Sequence, residues 1–102
     1  SIMVIAEKPI LSNISLEQYI DSFQTVLENM YGEMKFYIND SSFCNHSWKY
    51  IQYSIKVSDV ILYYYAYISK IGNRFVTITI SGNSYDSIVN TASLLSCYSR
   101  YW

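Results

Sequence analysis

The segment Val60–Ile68, with the sequence VILYYYAYI, decides the fold class because it is apolar along its whole length. Successive side chains of a strand point to opposite faces of a sheet, so this segment would carry large side chains on both faces. A strand with one face in water alternates polar and apolar residues, whereas a strand covered on both faces need not alternate. The segment therefore predicts a central strand with a layer packed on each side.

The flanking segments carry the alternation that is typical of partly exposed strands. Trp48–Val57 alternates Ile and Tyr with polar residues, and Arg74–Ser81 alternates Val and Ile with Phe and Thr. The connections to the central segment, Ser58-Asp59 and Lys70–Asn73, are short and favour hairpins. Antiparallel pairing of these three strands follows from the short connections.

Two further strands are predicted earlier in the chain. Residues 34–38 alternate apolar and polar side chains and are followed by the turn-rich residues 39–42. The apolar run 2–6 predicts a first or edge strand, which Pro9 and its neighbours end.

Helices are predicted before and after the central strands. Ser15 and Gln18 occupy the two positions of a capping box. An apolar stripe follows at three- and four-residue steps and is expected to end at Gly32: Leu16, Tyr19, Ile20, Phe23, Leu27 and Met30. A second helix is predicted to begin at Asn83 or Ser84 and to run to Ser99, with a stripe that includes Ile88, Ala92 and Leu95.

The order of these elements predicts one α+β domain over residues 1–102. We expect an antiparallel sheet of about five strands, with helices covering both faces. A chain of 102 residues is long enough for a single hydrophobic core without added staples.

Composition excludes several classes of protein. Hydrophobic residues make up 51% of the chain and charged residues 15%, which excludes a disordered chain. Seven basic residues against eight acidic ones give a net charge of −1, so no basic surface for nucleic acid is expected. No apolar run approaches the roughly 20 residues of a membrane-spanning helix, so no transmembrane segment is predicted in this chain.

The residues that usually carry chemistry are few and scattered. His46 is the one histidine, and we interpret Ser41–Ser47 as a polar loop that exposes it. Cys44 and His46 alone are too few for a metal site, so no metal, cofactor or catalytic residue is predicted. Cys44 and Cys97 match no metal-ligand spacing. We interpret both cysteines as small apolar side chains, with a disulfide as the alternative.

Tyrosine is the unusual feature of the composition, with 12 residues of the chain. Many of them fall on neighbouring strands, where cross-strand aromatic packing is the simplest interpretation. The functional alternative is an aromatic surface that binds a protein partner or a small ligand, since Tyr and Trp anchor interfaces. The candidate binding residues are Trp48, Tyr63 and Tyr65.

The strand at Gly72–Ser81, followed by the capped helix Ser84–Ser99, resembles the closing strand and helix of PsbP-like domains. Ser15-Leu16-Glu17-Gln18-Tyr19, opening a helix before the sheet, fits the same pattern, although the longer N-terminal hairpin common in that group is missing or reduced to residues 2–6. The resemblance covers most of residues 14–99 as an order of elements. It implies an α/β/α sandwich and a binding or assembly module, and it carries over no catalytic residue.

These observations together predict a small non-enzymatic binding or assembly domain of unstated specific role. The resemblance implies the exported part of a bacterial lipoprotein, extracytoplasmic and anchored through a lipidated N-terminus outside this chain. The alternative is a small-ligand carrier or an unrecognised enzyme, with a pocket between sheet and helix lined by Trp48, Tyr63 and Tyr65.

Overall fold

In a computed structural model of the chain, the structure describes residues 2–7 as backbone and residues 13–84, apart from the side chain of Phe43. The elements are β1 (Ile2–Glu7), α1 (Leu16–Tyr31), β2 (Tyr37–Phe43), β3 (His46–Val57), β4 (Val60–Ile71) and β5 (Arg74–Gly82). The strands form one sheet in the order β1-β5-β4-β3-β2, and every neighbouring pair is antiparallel. The α+β class and the antiparallel sheet are confirmed. The predicted helix Ser84–Ser99 lies outside the described residues, except for its first position.

The capping box predicted for α1 is present. Ser15 Oγ accepts a hydrogen bond from the Gln18 backbone N–H at 3.1 Å, and Gln18 Oε1 accepts one from the Ser15 N–H at 2.8 Å. The helix ends at Gly32, which has a φ of 85° and donates its N–H to the Glu28 carbonyl at 2.8 Å. Both predicted boundaries of the helix are therefore confirmed. Within the described residues, no helix is long and apolar enough to span a membrane.

The first face of the sheet packs against α1 and forms a hydrophobic core. Its buried members are Ile20, Ile51, Tyr53, Ile55, Ala66 and Ile68, and the partly buried residues of α1 that pack on them include Leu16, Tyr19, Phe23 and Leu27. Tyr53 stacks on Tyr64 with ring centroids 5.0 Å apart, and Phe23 meets Tyr53 edge to face at 6.0 Å. The predicted helix stripe therefore meets the sheet, except for Met30, which is 65% exposed.

The opposite face of the sheet is also buried over β5 and part of β3. Thr77 pairs with Ile68 of the helix-side core, so the next pair, Ile78 and Tyr67, points to the other face. Ile78 and Ile80 are 0% exposed, and Trp48 is 1% exposed. The central position of β4, between β3 and β5, matches the prediction from the Val60–Ile68 segment.

The position predicted for the second strand was wrong. We expected a strand over 34–38 and a turn at 39–42, but β2 runs Tyr37–Phe43 and the turn falls at Cys44-Asn45. Contacts across the sheet explain the difference: Asn39 Nδ2 donates to Tyr50 Oη at 3.2 Å, and Asp40 forms a salt bridge with Lys49. Pairing with β3 overrides the local turn preference of these polar residues.

The other two hairpins lie close to their predicted positions. The β3–β4 turn is at Ser58-Asp59, as expected, and Ser58 has a φ of 56°. β4 continues to Ile71, so the β4–β5 turn is confined to Gly72-Asn73 instead of beginning at Lys70. Gly72 has a φ of 63°, a left-handed conformation that favours glycine.

Candidate functional site

As far as the described residues go, the sheet has an open edge where β2 begins. Tyr37, the first residue of β2, pairs with Gln52 of β3, so residues 53–57 of β3 extend past β2. On their other side these residues pair with β4 from Tyr64 to Val60. The last five residues of β3 therefore have a strand neighbour on one side, and the connection from α1 to β2 runs past the other.

A cleft of about 670 Å³ lies at this open edge. One wall comes from the end of α1, the connection and the first residue of β2: Tyr31, Glu33, Met34, Lys35 and Tyr37. The other wall comes from the ends of β3 and β4: Gln52, Ser54, Ile55, Lys56, Ile61 and Tyr63. The connection and the ends of β3 and β4 therefore both contribute to the lining of the cleft.

The lining of the cleft mixes aromatic surface with hydrogen-bonding groups. Phenol hydroxyls, a serine hydroxyl and a carboxamide can each donate and accept, as at Tyr37, Ser54 and Gln52. Tyr37 is 57% exposed, so its ring is available to a bound partner. Clefts that combine apolar walls with a few polar groups are typical of binding sites.

Among residues 13–84, the charged groups that line the cleft are two ammonium groups and one carboxylate. Lys35 and Lys56 contribute the positive charges and Glu33 the negative one. The chain's one histidine begins β3, whereas the residues of β3 that line the cleft lie farther along the strand: Gln52, Ser54, Ile55 and Lys56. The groups that face the cleft are therefore suited to hydrogen bonding and to charge pairing with a ligand.

The three candidate binding residues from the sequence do not form one site. Trp48 pairs with Ser41 and Tyr63 with Ser54, so they lie six residues apart along β3, roughly 20 Å. Tyr63 lines the cleft at the open edge. Trp48 lines a second cavity, of about 390 Å³, together with Asp40, Ser41, Ser42 and Ser47.

Tyr65 belongs to a group of tyrosines between these two ends. Tyr50 lies 5.9 Å from Tyr65 and 5.8 Å from Tyr67, measured between ring centroids. Burial raises the pKa of Tyr67, because a buried phenol resists losing its proton. These contacts match the interpretation of the tyrosines as cross-strand aromatic packing.

The face on which these residues lie also bears on the expected pocket. Gln52 pairs with Tyr65 and Ile51 with Ala66 of the helix-side core, so Tyr65 lies on the face opposite α1. The same alternation places Trp48 and Tyr63 on that face. A pocket lined by all three residues does not lie between α1 and the sheet.

The interpretation of Ser41–Ser47 as an exposed loop was wrong. Phe43 ends β2, His46 begins β3, and Cys44 and Asn45 form a two-residue turn with φ values of 54° and 62°. Positive φ at both central residues is the pattern of the tight hairpin turn that matches strand twist. His46 is half-buried, with its ring edge-on to Trp48 at 6.4 Å between centroids.

The interpretation of Cys44 as a small apolar thiol was also wrong, because Cys44 is disulfide-bonded. A disulfide sulfur is no thiolate, so Cys44 does not pair with His46 as a nucleophile. Cys97 lies outside the described residues. In the described part of the chain, no group of three or more His, Cys, Asp or Glu side chains lies together as metal ligands would.

Most residues of the cleft were missed by the sequence reasoning. Tyr31 and Lys35 carry no motif, and their role depends on where β2 begins relative to β3. Tyr63, one of the candidate binding residues, is the one residue of the cleft that the sequence singled out. Comparisons of the chain with protein-family models, with curated proteins and with solved structures return no match.

Proposed function

We propose that the chain is a small non-enzymatic binding domain that uses the cleft at the open end of β3. The single observation that carries this proposal is the cleft itself, which exposed aromatic rings and hydrogen-bonding groups line together. A ligand seated there contacts three separate parts of the chain: the end of α1, the connection and the β3–β4 hairpin. Such convergence of distant segments is typical of binding sites.

We also propose that the domain is an α/β/α sandwich, with a layer on the face opposite α1. Support comes from Ile78, Ile80 and Trp48, which are at most 1% exposed on that face. The amphipathic pattern after Ser84 supplies a suitable helix, as the resemblance to PsbP-like domains implies. The family assignment itself stays a prediction, resting on the order of elements and the residues quoted above.

We place the domain outside the cytoplasm, in a membrane-anchored or secreted protein. The disulfide at Cys44 supports this location, because structural disulfides persist in oxidising compartments and are rare in the cytosol. That the domain belongs to a lipoprotein stays a prediction, which the resemblance to PsbP-like domains implies.

Nuclear magnetic resonance of the ¹⁵N-labelled chain 1–102 tests the binding function. The probes are benzoate, phenol, glucose and a pooled mixture of random heptapeptides. We expect at least one probe to shift the amide resonances of Gln52, Ser54 and Lys56 without shifting those of β5. If no probe moves these resonances, the cleft is not a binding site and the proposal fails.

A matched pair of variants locates the binding. Ser54 and Ser47 are exposed serines of the same strand, and only Ser54 lines the cleft at the open edge. Ser54→Tyr fills the cleft and is expected to abolish the shifts, whereas Ser47→Tyr is expected to preserve them. If the probe causes equal shifts in the two variants, it binds at a site other than the cleft.

A further inference from the structure

Among the described residues, the backbone of β3 at the cleft has no strand partner on its outer side. Residues 53–57 lie beyond the start of β2, and within the described residues no backbone hydrogen bond joins the connection 33–36 to β3. Alternate residues of an edge strand point their N–H and C=O groups outward. Two or three residues of this segment therefore turn toward the cleft backbone donors and acceptors that have no partner in the described part of the chain.

We propose that an extended peptide segment binds in the cleft as an added strand, in line with β2 and hydrogen-bonded to residues 53–57 of β3. This inference rests on the proposed binding function and names its ligand. The open edge is five residues long, roughly 17 Å, which matches a short peptide strand. Strand addition at an exposed sheet edge is a common mode of peptide recognition, in which the main chain supplies affinity and side-chain pockets supply selectivity.

The electrostatics of the cleft favour a peptide that carries carboxylates. Lys35, Lys56 and Glu33 all line the cleft, and the nearby end of α1 contributes a partial negative charge of about half a unit. The sum over the described residues of the cleft remains positive. A carboxylate is therefore favoured over an ammonium group at this site, although the exposed lysines limit the effect to a modest one.

Register specifies where that carboxylate would lie. Ser54 and Lys56 point to one face of the sheet, and Ile55 points to the other, where it is buried in the helix-side core. A side chain of the added strand on the face of Lys56 lies beside its ammonium group. We therefore infer an alternating peptide, with acidic residues on the face of Ser54 and Lys56 and apolar residues on the other face.

The probe is an acetylated and amidated heptapeptide that alternates Glu with Val. In the first control peptide, Gln replaces every Glu. In the second, alternate backbone nitrogens on the edge that meets β3 are methylated. Titrations use the ¹⁵N-labelled chain 1–102. We expect the methylated peptide to bind at least about tenfold more weakly, because it loses two or more hydrogen bonds. The Gln peptide is expected to bind about three- to tenfold more weakly.

Protein variants test the charge contribution separately. Lys35→Gln combined with Lys56→Gln is expected to remove the preference for the Glu peptide over the Gln peptide. Arg74→Gln is the matched control, since Arg74 is exposed in the β4–β5 hairpin at the far end of β4 and should leave the preference intact. Persistence of the preference in the double lysine variant would overturn the charge assignment.

The outcomes separate this inference from the binding function. If benzoate or phenol shifts the cleft resonances and the heptapeptides do not, the cleft binds small molecules and strand addition is overturned. Equal binding of the methylated and unmethylated peptides overturns it as well. If the same resonances shift when the chain is concentrated without peptide, the edge pairs with a second copy of this chain. The peptide assignment is then overturned as well.

Discussion

The ring of Tyr19 in α1 stacks on the ring of Phe75 in β5, with centroids 4.2 Å apart and an interplanar angle of 6°. Lys70 reinforces this contact: its Nζ lies 5.6 Å from the centroid of the Phe75 ring and donates to the Ile14 carbonyl at 2.9 Å. The start of α1 is therefore held to the β4–β5 hairpin by one aromatic pair and one lysine. This end of the helix is distant from the cleft, which lies at its other end.

A double-mutant cycle measures the aromatic contact. Tyr19→Leu and Phe75→Leu are each expected to lower the free energy of unfolding, with a coupling energy between them of about 0.5–1.5 kcal/mol. The cycle is needed because Tyr19 makes further interactions, whose contributions cancel when the coupling energy is calculated. Urea denaturation supplies the four values. The distant pair Tyr19→Leu and Ile61→Val should show a coupling below about 0.5 kcal/mol, and a similar coupling in both pairs would contradict the stacking argument.

The capping box predicts a second effect on stability. Ser15→Ala removes the acceptor for the Gln18 N–H and is expected to lower the free energy of unfolding by about 1 kcal/mol. The matched control is Ser22→Ala on the exposed part of the same helix, where alanine is at least as favourable as serine. Thermal unfolding followed by circular dichroism checks both. Equal losses in the two variants would mean that the cap contributes nothing.

The helix was predictable because its signals are local. Ser15, Gln18 and Gly32 act within a few residues of themselves, so the pattern in the sequence is also the cause of the structure. The central position of β4 was predictable for a related reason, since a run without alternation is typical of a strand in the interior of a sheet.

The second strand and the cleft were not predictable, because contacts distant in sequence determine them. Met34 and Phe36 alternate as a strand would, yet they pack on the core from the connection. Asn39 and Asp40 have turn-forming side chains, yet their partners on β3 hold them in a strand. The open edge depends on the register of Tyr37 with Gln52, which no local pattern encodes.

Alkaline pH is predicted to destabilise the domain through Tyr53. Burial raises the pKa of Tyr53 above its usual value of 10.0, with smaller contributions from Tyr64 and Tyr31. Below pH 10 the phenol is neutral in both states, whereas above it the unfolded chain ionises first. The free energy of unfolding should therefore fall above about pH 10, by at most about 1.4 kcal/mol per pH unit for this group.

Tyr53→Phe isolates this contribution. Lys49 acts in the same direction, because its hydrogen bond to Asp40 raises the pKa of the ammonium group and this stabilisation is lost at high pH. Urea denaturation at pH 9 and pH 11 should show a smaller loss in Tyr53→Phe than in the parent chain. An equal loss would assign the alkaline transition to Lys49 and other groups.

The disulfide at Cys44 makes a prediction about the rest of the chain. Because the sequence holds one other cysteine, we expect Cys44 to be bonded to Cys97, 53 positions away. Non-reducing peptide mapping should recover the two residues in one linked fragment, with no titratable thiol in denaturant. A loop of this length predicts that reduction lowers the free energy of unfolding by up to about 4 kcal/mol. Two free thiols in the purified, non-reduced chain would refute the bond.

Ile78 tests whether the face opposite α1 is a second core. Ile51 on the helix side and Ile78 on the other side are both 0% exposed. If a packed layer covers each face, Ile51→Ala and Ile78→Ala should each lower the free energy of unfolding by about 2–5 kcal/mol in urea. Ile61→Ala is the control, since Ile61 is 43% exposed and should lose about 1 kcal/mol or less. If Ile78→Ala lowers the free energy of unfolding as little as Ile61→Ala does, the sheet is covered on one face only. Shortening a side chain that water can reach leaves no cavity, because water fills the space.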